Sequence, residues 1–266
     1  MIKIKIVVCI KQVPGSTEIK INPDTNTLVR EGVENAINPF DSYAIEEAIR
    51  VKERVGGNSE VLAVTMGPPQ AEDILKDSIS MGVDKAILLS DRAFAGADTW
   101  ATSLVIAKTV NRIGDVSLII FGKQTLDGDT GQVGPEFAQH MNIPFIGYVS
   151  QIIDIRKKTI KAKRLMEDRY ETIEVGLPAA ISVVKDINQP RIPSLRGKMK
   201  AKKEKIPIWG KDDIEAEEDE VGLMGSYTKV IKIFTPDIKH EVKILGGSID
   251  EKVDQLFSEL KELNVV

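Results

Sequence analysis

The stretch VSLIIFGKQTLDGDTGQVGPEFAQHM, residues 116–141, decides the fold. It begins as an unbroken apolar run, crosses a loop with glycines at 122, 128, 131 and 134, and ends in a pattern that predicts a helix from about residue 131 to 141. A continuously apolar strand is buried on both faces, as strands of a parallel sheet are. A loop at the carboxyl end of such a strand lies where open α/β sheets bind ligands. Gly128, Gly131 and Gly134 permit close backbone approach, and the helix that follows offers free N–H groups and a positive dipole end. An anionic phosphate fits this arrangement. Thr130 and Gln132 can add hydrogen bonds. Asp127 and Asp129 would repel a phosphate they faced, and suit loop capping or sugar hydroxyls better. The loop matches neither the P-loop nor the dinucleotide GxGxxG pattern, so alone it is as compatible with a structural turn as with a phosphate cradle.

Working outward, the same strand-to-helix rhythm recurs. Residues 3–10 (KIKIVVCI) read as a central strand, and a short hairpin outside the main sheet is expected around the turn signal Pro23 to Thr25. A helix follows, with Asp41 as its expected N-cap, Ala44, Ile45, Ala48 and Val51 at helical spacing, and Gly56 and Gly57 ending it. Strands are expected at 60–67 and 85–90, separated by a helix that Pro68 and Pro69 introduce and that carries Ile74, Leu75 and Ile79. The next helix opens at GADTWAT, residues 96–102, capped by Asp98 or Thr99 and closed by Gly114. Four strand–helix units in succession predict a doubly wound, mainly parallel α/β sheet of Rossmann-like type.

Beyond Pro144 the pattern shortens into alternating segments that predict an antiparallel meander, after which the more apolar PAAISVV, residues 178–184, is expected to return to the main sheet. A basic run, residues 196–205, then gives way to an acidic one, residues 212–220. This shift predicts a compact domain over 1–205 and a C-terminal extension, or arm, over 206–266.

Composition excludes some partners. The 266 residues are 42% hydrophobic and 29% charged with a net charge of −4, values of an ordinary globular protein with no general affinity for nucleic acid. A single cysteine excludes an internal disulfide, the first residues lack a signal peptide, and a cytoplasmic location is the default expectation. No apolar run approaches the roughly 20 residues that span a bilayer. Cys9 reads as a core thiol, His140 and His240 lack metal-ligand spacing, and Glu46 and Glu47 read as a solvated helix face. GADTWAT is either a plain N-cap or a second wall of the same crevice. Ile192, Leu195 and Met199 beside the basic run suggest a protein-docking surface.

Taken together, VVCIKQVP (7–14), NPFDSYAIEEAIR (38–50), GADTWAT, FGKQTLDGDTGQVGPEFA (121–138) and NQPRIPSLRGKMKAKKEKI (188–206) resemble the beta subunit of electron-transfer flavoproteins. The resemblance implies a heterodimer with an alpha subunit that carries a redox-active FAD, the C-terminal arm reaching that partner. Some family members hold AMP as a structural ligand in the beta site. Others hold a second FAD there and bifurcate electrons from NADH, and the DGDTGQVGPE form of the loop resembles this branch. By matching position the resemblance puts Val8, Cys9 and Lys11 beside the nucleotide and Asn38 and Asp41 near its adenosine portion. Val64, Thr65 and Met66 end a neighbouring strand. Gly122, Lys123, Gln124, Asp127, Gly128, Asp129, Thr130, Gly131, Gln132, Val133 and Gly134 would wrap phosphate and ribityl groups, and Asp98, Thr99 and Thr102 would complete the crevice. It further implies ferredoxin or flavodoxin as low-potential acceptor and a partner flavin dehydrogenase, of acyl-CoA or hydroxy-acid type, met by the leucine at Leu195. One departure is visible: many members carry an acid after the arginine matching Arg164, whereas Leu165 stands here and the nearest acid is Glu167.

Overall fold

Residues 3–15, 20–22, 27–29, 35–232 and 242–266 are described by the computed structural model. The first strand, β1 (Lys5–Cys9), is followed by the short strands β2 (Gln12–Pro14), β3 (Lys20–Asn22), β4 (Thr27–Val29) and β5 (Asn35–Ile37). Then come α1 (Pro39–Val55), β6 (Glu60–Met66), α2 (Glu72–Met81), β7 (Lys85–Leu89), α3 (Thr99–Ile113), β8 (Leu118–Gly122) and α4 (Val133–Met141). The later elements are β9 (Phe145–Ile155), β10 (Thr159–Leu165), β11 (Tyr170–Gly176), β12 (Ala179–Val183), α5 (Leu195–Lys203), β13 (Ile208–Trp209) and α6 (Ile249–Glu262).

Nine strands form one sheet in the order β11-β10-β9-β12-β8-β1-β6-β7-β13. Every pair from β9 to β13 along this order is parallel, and only β9–β10 and β10–β11 are antiparallel. The expected doubly wound α/β sheet is therefore present. The meander is its continuation, because β9 pairs parallel with β12 and antiparallel with β10, and PAAISVV supplies β12 between β8 and β9. The chain first builds outward from β1 to β6 and β7, then returns to place β8 on the other side of β1. The strand order thus reverses between β1 and β8, the position where such sheets open a ligand crevice.

Period-2 alternation gives each central strand two buried faces. Ile6 and Val8 of β1 pack with Ile45 and Ala48 of α1 and Ile74 of α2 on one face, and Val7 and Cys9 pack with Val105 of α3 and Phe137 of α4 on the other. β3 and β4 pair antiparallel as a separate two-stranded sheet, Lys20 opposite Val29, as the hairpin pattern required. Its turn, Pro23 to Thr25, lies outside the described residues, as does His240.

Three boundaries differ from expectation. Asn38, with Pro39 behind it, occupies the N-cap position of α1, while Asp41 sits in the first turn and is buried. α4 starts at Val133, two residues after Gly131, which takes a left-handed φ of 63° that a helix excludes. The third difference concerns domain extent. The chain divides into one compact unit, Met1–Ile231, and a second, Lys232–Val266. Residues just past 205 belong to the first unit: β13 pairs parallel with β7, and Ile214, Ala216 and Val221 are buried in its core. Within the second unit α6 opens with a Ser248/Glu251 capping box.

Candidate nucleotide-binding site

The crevice between β1 and β8 is a cleft of about 840 Å³. That is toward the upper end of the roughly 300–1,000 Å³ usual for cofactor sites. Its floor comes from the carboxyl ends of the strands, Cys9 to Lys11 and Phe121 to Lys123, and one side from the loop that opens α4. Asp129 and Gly131 both adopt left-handed φ, 52° and 63°, which turns the loop back so that Thr130 to Gly134 line the cleft. The side chain of Gln132 makes no cap hydrogen bond, so the first N–H groups of α4 stay open toward an anion.

α3 begins differently. Asp98 caps it by accepting from Ala101 N at 3.0 Å, and its second oxygen accepts from Thr228 N at 2.9 Å and Thr228 Oγ1 at 3.1 Å. GADTWAT is therefore an ordinary N-cap that also lines the cleft, through Asp98, Thr99, Trp100 and Thr102. Burial pushes the Asp98 carboxyl up, but the hydrogen bonds from Ala101 and Thr228 outweigh it and hold the acid below its usual range. The Trp100 ring lies 5.7 Å from that of Tyr227 and 4.2 Å from that of His140. The apolar part of the lining comes from Ile10, Met66, Ile106 and Phe121.

The residues matched by the resemblance fall into three groups. Cys9, Lys11, Asp41, Met66, Asp98, Thr99, Thr102, Gly122, Lys123, Gln124, Gly128, Thr130, Gly131, Gln132, Val133 and Gly134 line the cleft. Asn38, Asp127 and Asp129 are not among the lining residues and make bonds at the loop instead. Asn38 Nδ2 donates to Gln124 O at 2.8 Å, Lys11 Nζ meets Asp127 at 2.6 Å, and Gln124 Nε2 donates to Asp129 Oδ1. Burial of Asp127 is overcome by Lys11, which holds its carboxyl low. Both aspartates thus make contacts that hold the loop. Val8 and Val64 are core residues below the cleft, and Thr65 is buried beside them with its hydroxyl unpartnered among the described residues. Cys9 is buried as expected, and burial together with Asp41 pushes its thiol up, away from nucleophilic thiolate.

Sequence reasoning missed Phe121, Trp100, Ser182, Tyr227, Thr228 and Val230, all of which line the cleft. Trp100 was legible in principle, as a large aromatic at the mouth of a strand-to-helix loop. The segment 227–230 carried no local signal, since it is brought to the cleft by long-range contacts: Thr228 N donates to Asp98, Asp98 N donates to Ser226 Oγ, and Tyr227 meets Trp100.

A correction concerns Glu46 and Glu47. Both are buried rather than solvated. Arg191 Nε and N donate to Glu46 Oε2 at 2.7 and 3.1 Å, Arg191 also pairs with Glu53 at 2.8 Å, and Asn188 Nδ2 donates to Glu47 Oε2 at 3.0 Å. The segment 188–191 therefore covers this face of α1. Directly after it Ile192, Leu195 and Met199 are exposed, Ile192 to 90% and Leu195 to 78%.

The electron transfer flavoprotein domain profile matches residues 25–214. The chain is 44% identical to the caffeyl-CoA reductase-Etf complex subunit CarD of Acetobacterium woodii, covering 98% of this chain and all of that one. It is 43% identical to the electron transfer flavoprotein subunit beta of Thermoanaerobacterium thermosaccharolyticum, over 98% and 99% of the two chains. It is 44% identical to Protein FixA of Azotobacter vinelandii over 86% and 83%. This chain belongs to the electron transfer flavoprotein beta-subunit family. As a flavoprotein beta subunit it acts in electron transport with an alpha-subunit partner. No helix among the described residues is long and apolar enough to cross a membrane. The cleft of this beta subunit fits an adenine nucleotide: an uncapped helix start for phosphate, hydroxyl and amide groups at Thr130 and Gln132, and an apolar and aromatic wall for rings.

Proposed function

We propose that this beta subunit holds FAD in the cleft and, with its alpha subunit, oxidises NADH and divides the electrons. One goes to ferredoxin or flavodoxin, and the other passes through the alpha-subunit FAD to a partner flavin dehydrogenase of acyl-CoA or hydroxy-acid type. The observation that carries the reading is the extent of the cleft. Besides the uncapped start of α4 it is lined by Phe121, Ile106, Met66, Trp100 and Tyr227, an apolar and aromatic surface for ring systems beside the groups that suit phosphate and ribose. A bound flavin supplies exchange of electrons in pairs with nicotinamide and singly with other carriers.

The chain's own residues bind and enclose. The N–H groups of Val133 and Gly134 would hold the pyrophosphate, Thr130 and Gln132 the polyol hydroxyls, and Lys11 would offset charge with what its pairing to Asp127 leaves. Trp100 and Tyr227 would cover the ring system and exclude water. Similarity to CarD, named as a subunit of a caffeyl-CoA reductase-Etf complex, supports association with a reductase of thioester substrates. Ile192, Leu195 and Met199 form the dehydrogenase-docking surface on this reading, residues 206–266 include the surface that meets the alpha subunit, and the complex works in the cytoplasm.

The test is a count. Coexpressed heterodimer is denatured and the released nucleotides are separated by chromatography. Two FAD per heterodimer is the expected result. One FAD and one AMP would overturn the reading in favour of a non-bifurcating subunit with a structural mononucleotide.

A further inference from the structure

The segment Asn38–Asp41 takes backbone groups from both strands that frame the cleft. Lys11, at the end of β1, donates its N–H to Asp41 Oδ2 at 2.7 Å and accepts from Asn38 N at 2.9 Å. At the end of β8 the backbone of Gly122 packs against the same carboxylate. Beyond it, Gln124 O accepts from Asn38 Nδ2, and Leu126 N donates to Asn38 Oδ1 at 3.3 Å. The fit is close: a Cβ on Gly122 would stand on the Asp41 carboxylate and 2.8 Å from the carbonyl carbon of Phe40. A carboxylate at 4% exposure that grips both sides of a crevice is a structural choice with an electrostatic cost.

We propose that Asp41 is a positioning residue that ties the end of β1 to the end of β8 and couples nucleotide binding to proton uptake. The proposal rests on the reading of the cleft as a nucleotide site. The charged and titratable groups around Asp41 are few. From β1 come the buried Cys9 thiol and, just past the strand, Lys11, whose ammonium is shared with Asp127. Past β8, Lys123 is turned away over the Tyr148 ring. Burial pushes Asp41 up to about 7, against the opposing influence of the neighbouring Asn38, Lys11 and Gly122. An anionic ligand entering the cleft adds like charge and favours the protonated acid further. Affinity for it therefore falls as pH rises through neutrality.

The test titrates the heterodimer, freed of exchangeable nucleotide, with FAD and separately with ADP-ribose, whose pyrophosphates do not change charge near neutral pH. Wild type should bind about three- to tenfold more weakly at about pH 8.5 than at about pH 6, as a shift of up to one pKa unit on binding gives. Asp41→Asn should flatten the profile. Parallel profiles in the two proteins would overturn the coupling. The tie itself is read by hydrogen exchange without added ligand: Asp41→Ala should speed exchange at the amides of Lys11 and Gly122, and unchanged rates there would overturn it. Failure of both ligands to bind wild type at either pH removes the nucleotide reading and the coupling with it. Normal binding with parallel profiles removes the coupling alone.

Discussion

Gly122 and Gly131 stand in one loop and are glycines for different reasons, so their substitutions should fail differently. Gly122 has ordinary backbone angles but no room, because its missing Cβ would press on Phe40 and Asp41. Gly122→Ala should force the start of α1 off β8 and cost about 1–3 kcal/mol, as overpacking does. Thermal denaturation would read this directly. Gly131 would place a Cβ 3.3 Å from Lys123 O, a tight but single contact, and has a φ of 63° that a branched side chain resists. Gly131→Val should leave the core transition within about 1–2 kcal/mol of wild type, the strain of one left-handed residue, while nucleotide retained through purification drops. Full retention would refute the loop as the phosphate-facing wall. At this scale the sequence was legible for glycines, because position after a strand gives them meaning. It was silent about Asp41, whose role depends on the N–H of Lys11 and the backbone of Gly122, both far from it along the chain.

The element that holds the segment 188–191, which leads into the exposed Ile192, is α1. Ala44, Ile45, Ala48 and Val51 mark its sheet-facing stripe, and this much was readable from helical spacing. Glu46 and Glu47 flank that stripe, and nothing local reveals that residues 188–191 fold over them. Arg191 is the link: removing it leaves Glu46, at 3% exposure, with Arg50 as its remaining partner. Breaking a buried ion pair typically costs about 3–5 kcal/mol, and since Arg191 is a third exposed we expect about 2 kcal/mol for Arg191→Ala in urea denaturation. Burial pushes Glu46 up, yet the bonds from Arg191 prevail and hold it below its usual range. A group with a depressed folded pKa lends stability above its unfolded value and loses it as pH falls through the folded one. Wild type should accordingly lose more stability than Arg191→Ala between about pH 6 and about pH 3, because the variant has already forfeited this contribution. Leu195→Ala should do the reverse. With its side chain exposed it should change stability by less than about 0.5 kcal/mol. If Leu195 anchors the dehydrogenase, turnover at low dehydrogenase concentration falls, and unchanged turnover would remove it from the docking surface.

On the scale of the whole molecule, the parallel order of the central strands followed from the strand–helix rhythm, whereas the extent of the first unit did not. The turn from basic to acidic composition near residue 205 marks a change of surface, and the chain continues into the sheet. Leu88 N donates to Pro207 O and Ser90 N to Trp209 O, both at 3.0 Å, which adds β13 at the edge. A two-residue strand has no periodicity to read, and Ile214, Ala216 and Val221 are too sparse among acids to announce a core. Residues 226–230 then close the cleft, so every residue that lines it lies before the division at Ile231. In the second unit, Ile249, Val253, Leu256, Phe257 and Leu260 recur at helical spacing along α6, an apolar stripe of the kind that packs against another surface. These facts separate two functions that a single boundary at 205 would have merged. A chain ending at Ile231 should fold with a cooperative thermal transition and bind FAD when it is supplied, since cleft and core are complete. The same chain should fail to copurify with the alpha subunit if the second unit is the arm. A chain ending at residue 205 should do neither, because it lacks β13 and the residues that tie down Asp98. Copurification of the 231-residue chain with the alpha subunit at wild-type yield would place the interface on the first unit and leave α6 to another partner.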